Sequence, residues 1–458
     1  MVLRPAIVAA WLVAVGGCQK VPSVPDALPS QTNEPKLLAG EQPGPSAIAL
    51  DATHLYWNHA GSGLIRRMPR SGGAVETVYD GGGELGGRSI ALDADAVYFD
   101  QGWDVKRVAK RGGPATQLGP LDSLPAVLVA DDEAVYSVTH ATVARHAKGG
   151  GDTRFLANGS DIWDVAVDAT HVYWVSDDGV LRVPKKGGAT QTLARGRFRF
   201  ARIALFGNDV YWGDGGLGGV FTVPKEGGGA RFVAHAWSIG GTRLVVDGRG
   251  IWTVHGDGQI DRVDPRTGKS IIYAVALARG GSADHYFGVV LAEDDLFVAS
   301  GGMSYRGGGP VIIDLTKPGA DLPKADFGGE ILRLSIVPPA KPIVAEDLLP
   351  EVGRVWFTDM RMQDPGNATR WTGWIDESWV RGVKDGKLGL RLVAFTSATV
   401  PSATATARAK IVEDEIRGQL GAGPRIAIVT AASEGYHGDV HVTLDPADLA
   451  AALDPSAR

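Results

Sequence analysis

Residues 46–81, SAIALDATHLYWNHAGSGLIRRMPRSGGAVETVYDG, constrain this chain more than any other stretch, because versions of them recur almost to residue 400. Each version holds four short apolar runs, here IAL, LYW, LIRRM and VETVY. An acidic D-x-x-H or D-x-D turn follows the first run, and a basic K/R-x-G-G turn follows the third. Short runs between turn signals read as strands. A four-strand unit cannot bury both of its faces alone. Repeated along the chain, such units stack as blades around an axis, so the predicted fold is an all-β propeller.

The second runs keep a clear register: Tyr56-Trp57, Tyr98-Phe99, Tyr136-Ser137, Tyr173-Trp174, Tyr211-Trp212, Ile251-Trp252, Leu296-Phe297 and Val355-Trp356. From residue 57 through 99, 137, 174 and 212 the spacings are 42, 38, 37 and 38 residues, the length of one blade. Adjacent strand residues point to opposite faces. Both are large here, so both faces must be covered, and a blade between two others meets that demand. Third runs recur at residues 67–73, 107–113 and 182–188, with looser copies at 223–228 and 262–268. Their glycines supply the positive φ of tight turns, and their lysines and arginines discourage pairing at an outer edge. On that reading Lys185 and Lys186 tolerate alanine, whereas Trp57, Trp174 and Trp212 are core residues.

The pattern IALD-x3-LYW-x7-I-x-R resembles the YWTD-type and NHL-like propeller repeats found in bacterial secreted proteins and lipoproteins. The resemblance spans residues 36–395 and implies a propeller. It departs from the family after the aromatic pair, where Tyr56-Trp57 is followed by Asn58-His59 and Tyr173-Trp174 by Val175-Ser176. Residues 356–359, Trp-Phe-Thr-Asp, are similar to the repeats of streptogramin-lyase-type propellers. No ligand residue carries over from either group.

Residues 1–18 read as a lipoprotein export signal: Arg4, an apolar run from 5 to 15, then Val-Gly-Gly-Cys resembling a lipobox. Cys18 is the only cysteine, so no disulfide can form within the chain, and lipid attachment accounts for a lone thiol in an exported protein. Gln19 implies outer-membrane retention by the same resemblance. Residues 19–34 form a proline-containing flexible linker. Residues 35–40 resemble a lone fourth strand, placed to complete the last blade and close the ring.

First runs give seven units, and the propeller is assigned to residues 35–398. Seven or eight blades fit, and we favour eight. In that parse residues 342–345 and 354–356 supply the first two strands of the last unit, and residues 380–387, VRGVKDGK, its third strand and turn. The pattern breaks in residues 399–458. Ala405, Ala409, Val412, Ile416 and Leu420 follow helical spacing before Gly421, two strands follow, and Asp445-Pro446 begins a last helix. This is a small α/β appendage.

Composition supplies limits. The net charge of −6 and pI near 5.9 give no basis for nucleic-acid binding. Beyond the signal, no apolar run is long enough to span a bilayer. Residues 213–218 match G-x-G-x-x-G, yet a strand rather than a helix is expected next, so the dinucleotide mechanism lacks its helix N-terminus. Asp178-Gly179 and Asp257-Gly258 read as hairpin turns. Ser433, His437 and Asp439 are crowded in one loop, without the context of a catalytic triad. The ten histidines show no metal-ligand spacing, and no cofactor or catalytic residue is assigned.

Loops joining second to third strands, and blade to blade, share one end of a propeller. The repeated acidic and basic turns share the other, where the sequence has little individuality. Trp103, His140, Asp177, Asp214, His255, Tyr305 and Asp359 all fall at the variable end, and His59 lies there too. Binding residues concentrate on loops held by a rigid scaffold, so this end is the expected functional face. Its partner is an unknown protein or small molecule, and the chain meets the membrane through its N-terminal lipid. Three functions fit: a tethered binding scaffold, a propeller lyase or hydrolase, and a purely structural envelope lipoprotein.

Overall fold

The structure is a computed structural model describing residues 36–42, 45–59, 62–83, 86–123, 127–198, 201–214, 219–235, 244–254, 260–265, 270–274, 286–292, 295–300, 329–335, 344–345, 351–355, 377–396, 399–432 and 440–453. Six sheets each take four consecutive strands of the chain in antiparallel order. The first holds Pro45–Leu50, His54–His59, Ile65–Pro69 and Glu76–Tyr79; the sixth begins with Leu244–Asp247. The seventh sheet holds Tyr286–Ala292, Asp295–Ser300 and Gly329–Ser335, and its fourth place is filled by Lys36–Gln42 from the start of the fold. That strand runs antiparallel to the third, with Lys36 opposite Arg333 and Gln42 opposite Gly329. First strands of neighbouring blades pack side by side from blade seven through blade one to blade six. The fold is a seven-bladed β-propeller closed by its N-terminal strand, as residues 35–40 predict.

The aromatic pairs do what their adjacency demands. Tyr56 belongs to the core between blades one and two, and Trp57 to the core between blades seven and one. Tyr173 and Trp174 divide in the same way, as do Tyr211 and Trp212. Trp57, Trp174 and Trp212 are fully buried.

Among the described residues no eighth blade forms, so of the seven or eight expected the structure has seven. Val344–Ala345 joins blade six as a fifth strand, pairing Val344 with Ile271. Glu351–Val355 enters a separate mixed sheet with Gly389–Thr396, Arg425–Ala432 and Val440–Leu444. Residues 380–387 are a helix end rather than a strand and hairpin. Helix α1 (Glu377–Lys384) stops where Lys387 N–H donates to the Gly382 carbonyl and Gly386 N–H to that of Val383, with Gly386 at φ 71°. This is a Schellman stop. A helix stop and a tight hairpin both favour glycine at positive φ, and both tolerate lysine beside it. The motif K-D-G-K therefore mimics the repeat's basic turn.

The appendage is consequently larger than residues 399–458. Gly389–Thr396 and Arg425–Ala432 lie parallel, joined through helix α2 (Ser402–Leu420), and Val440–Leu444 runs antiparallel beside them. Ala405, Ala409, Val412 and Ile416 are buried and Gly421 caps α2, as their spacing predicts. Helix α3 (Pro446–Leu453) starts at Asp445, whose carboxylate accepts from Ala447 N–H. Apolar residues of this layer share one continuous core with blades four and five, where Phe198, Trp212, Leu449 and Leu453 meet.

At the end carrying the acidic and basic turns, the repeat builds a lattice between blades. In blades two to five a lysine of the basic turn pairs with the aspartate of the preceding blade: Lys110 with Asp51, Lys148 with Asp93, Lys185 with Asp131, and Lys225 with Asp168. The other carboxylate oxygen caps its own turn, accepting from N–H groups two and three residues on, as Asp51 does from Thr53 and His54. Tyr56, Tyr98 and Tyr173 donate their hydroxyls to Asp51, Asp93 and Asp168. Ammonium groups of Lys110, Lys148 and Lys185 stand over the rings of Tyr56, Tyr98 and Tyr136. Burial raises the carboxylates' pKa values, but the lysine and N–H donors outweigh it and hold Asp93 and Asp168 near 2. Burial, and then the adjacent Asp168 carboxylate, pushes Tyr173 up to about 12. Lys185 is buried, so its reading as a dispensable edge charge is corrected; its neighbour Lys186 is exposed.

Candidate recognition face

At the opposite end, turns between second and third strands are short and individually different. Trp103 tips the turn of blade two, 62% exposed, while its carbonyl accepts from Leu121 N–H and fixes the loop. His140 ends the second strand region of blade three. Its carbonyl accepts from Ile162 N–H, which ties it to the first strand of blade four. Asp177 and Asp178 form the two-residue turn of blade four, because Ser176 pairs directly with Gly179. Gly179 has φ 132°, and a Cβ there would strike the Ala194 carbonyl oxygen, so glycine is required beside this turn.

Side chains from four loops and from the first strand of blade four then meet. His140 Nδ1 lies 3.6 Å from Asp161 Oδ1, and its ring stands edge-on to Trp163 at 6.2 Å. Trp163 Nε1 donates to Asp177 Oδ1 at 3.4 Å, and Arg197 binds Asp177 Oδ2 through Nε and Nη2 at 2.9 and 2.7 Å. Asp177 is nearly covered by these partners, whereas His140, Asp161 and Arg197 are 44, 57 and 49% exposed. Asp161 has φ 47°, and among the described residues no other non-glycine residue has positive φ. A carboxylate-bearing residue tolerates that conformation better than most.

Of the sequence-predicted site residues, His140 and Asp177 are brought together through Trp163, and Trp103 stands at the same end. Asp214 ends the second strand of blade five but is buried, 1% exposed, so it is corrected from a surface ligand to an interior group. His59 is likewise buried at the end of its strand. His255, Tyr305 and Asp359 lie outside the described residues, as do Cys18, the linker and the loop of Ser433, His437 and Asp439. The G-x-G-x-x-G stretch joins two antiparallel strands, with Asp214 paired to Gly219, and so crosses a hairpin. Asp161, Trp163 and Arg197 escape a sequence reading. They sit in connections between blades and on an inner strand, where the repeat has no fixed motif to mark a departure. The described residues contain no group of three or more potential metal ligands. The face offers an exposed indole, a histidine and an Arg–Asp pair, a composition suited to recognition.

No protein-family model matches the chain, and no curated protein matches it. Among solved structures it is similar to virginiamycin B lyase from Staphylococcus aureus, at 10% identity over 63% of this chain and 94% of that one, with a TM-score of 0.46. BamB from Moraxella catarrhalis gives 12% identity, 66% and 100% coverage, and a TM-score of 0.45. YCF48 bound to D1 peptide gives 10%, 66% and 96%, and 0.44. All three are β-propeller proteins. The strand order of this chain defines its fold independently of these likenesses, which carry no further.

Proposed function

We propose that this protein is an exported propeller, anchored through a lipid on Cys18, that binds a partner protein with the loop face of blades two to four. The observation that carries this reading is the contrast between its two ends. Four lysines and four aspartates of the repeated turns are engaged with each other across blades. Trp103, His140, Asp161 and Arg197 instead present half or more of their side chains, or close to it, to solvent on a braced scaffold. Exposed tryptophan and arginine supply most of the binding energy at many protein interfaces.

The test uses the mature protein carrying a photo-crosslinker at position 161, with the partner identified by mass spectrometry and then titrated in purified form. Trp103→Ala combined with His140→Ala should weaken binding at least tenfold, with the melting temperature nearly unchanged. Undiminished binding in that double variant, together with its loss in Lys186→Ala at the other end, would place the interface on the wrong face. Anchoring is checked separately. Cys18→Ala should release the protein from membrane pellets or leave its signal unprocessed; a processed mutant still retained in the pellet would refute lipid attachment.

A further inference from the structure

The mixed sheet of the appendage ends in an open edge. Arg425–Ala432 pairs over all eight of its residues with Gly389–Thr396, and among the described residues nothing pairs with its other side. Such an edge presents a row of unpaired N–H and C=O groups. The core also thins toward it. Leu390 and Leu392 are buried, whereas their neighbours across the ladder, Ile426 and Ile428, are only partly buried. Val429 is partly buried too, and Ala427 and Thr430 are exposed. One more strand alongside would carry the core over both isoleucines.

The other sheet edges are defended. The outermost strands of blades one and four have four residues each, and that of blade two ends at Pro120. Those of blades three and five carry Arg154 and Arg231, and that of blade seven carries Lys36 and Glu41. The outermost strand of blade six is covered by Val344–Ala345, and the far edge of the appendage carries Glu351 and Arg354. Short length, proline, charge and a covering strand are the usual means of keeping an edge from pairing. Arg425–Ala432, RIAIVTAA, has none of them beyond the charge at its first position. That charge is turned back into the appendage, where Arg425 donates to the Gly386 and Lys387 carbonyls and to Asp448.

The occupant that fits this strand is a second copy of it. A two-fold axis normal to the sheet through Ile428 sets residues 425–431 of two copies antiparallel. Ile426 then lies opposite Thr430, Ala427 opposite Val429, and Ile428 opposite its twin, so the isoleucines of both copies share one face. Arg425 comes opposite Ala431, and no charge meets a like charge. The copy matches the strand in length and apolarity, and the self-complementary contact consumes both open edges at once and closes.

We propose that two copies of this chain associate through Arg425–Ala432, joining their four-stranded sheets into one of eight. The interface lies on the appendage and does not depend on the partner-binding reading of the loop face. Sedimentation of the chain from residue 19, which carries no lipid, should show a monomer–dimer equilibrium, and amide exchange at 425–432 should slow as the dimer forms. Ala427→Lys combined with Thr430→Lys puts charge at exposed positions on both faces of the strand. It should weaken dimerisation at least tenfold while the circular dichroism spectrum stays that of the parent. Lys186→Ala and the Trp103→Ala/His140→Ala pair should leave the dimer constant within twofold. The proposal is overturned if the chain stays monomeric up to millimolar concentration, if the double lysine variant dimerises as tightly as the parent, or if exchange at 425–432 is equal in monomer and dimer. A monomer whose 425–432 amides are protected only by a different protein assigns the edge to that protein and overturns it as well.

Discussion

Replacing Trp212 with alanine is expected to lower the stability of the protein by about 3–5 kcal/mol, the cost of truncating a buried large aromatic. Trp212 is fully buried, stacks on Phe221 at 5.4 Å with 19° between the rings, and meets Phe198 at 5.5 Å. These contacts join blade five to blade four and to the appendage within one core. The loss should therefore loosen two interfaces at once, and the appendage should become more susceptible to proteolysis. Trp103 provides the comparison: the same side chain, set in the turn after a second strand rather than within one, and 62% exposed. Its alanine variant should stay within about 0.5 kcal/mol of the parent in urea denaturation, as surface substitutions do. Equal midpoints for the two variants would contradict the inter-blade packing described above.

Much of this architecture is legible in the sequence, because packing demands leave a periodic trace. Two adjacent large residues in every second strand require two covered faces, and Tyr56 and Trp57 duly enter different cores. A surplus fourth strand at residues 35–40 requires a blade lacking one, and Lys36–Gln42 completes blade seven. The same logic misleads where two local structures ask for the same residues. The sequence around Gly386 satisfies a hairpin turn and a helix stop alike. What separates them is Val380 and Val383, three apart, of which Val383 is fully buried in the appendage core; that spacing belongs to a helix.

The recognition face is less legible, and for a physical reason. A ring of blades imposes repetition on strands and structural turns, but none on residues that serve a ligand. His140 and Asp177 are found because they stand where the repeat turns irregular. Trp163 is not, since an aromatic on a first strand reads as core, although its indole N–H reaches the Asp177 carboxylate. Asp214 errs in the opposite direction. Its place at a strand end resembles that of Trp103's turn, yet the chain around blade five buries it.

The charges of the repeated turns carry a second large expected effect. Lys185→Ala should cost about 3 kcal/mol, the lower part of the range for removing one partner of a buried ion pair. The ammonium group lies 2.5 Å from Asp131 and 5.6 Å above the Tyr136 ring, and both charged side chains are mostly covered. Lys186→Ala, one residue further, should leave the denaturation midpoint unmoved. The difference between the two variants should also depend on pH in a defined direction. Burial raises the Asp131 pKa, but Lys185 and the N–H groups of Ala134 and Glu133 lower it more, so the net shift is downward. A carboxylate with a lowered folded pKa stabilises the fold fully above its unfolded value, near 4, and ceases to do so as pH falls through the folded value. Asp93 and Asp168 have folded values near 2; burial raises Asp51 as well, but Lys110 and the N–H groups of Thr53 and His54 hold it lower still. Parent protein should therefore lose stability as pH falls from about 4 toward 2, where Asp93 and Asp168 protonate. The Lys185→Ala deficit should be complete at pH 7 and shrink as pH falls below about 4 through the lowered folded value of Asp131, because a protonated Asp131 no longer gains from the lysine. A deficit that stays constant down to pH 2 would show that Lys185 acts through packing on Tyr136 and not through its charge.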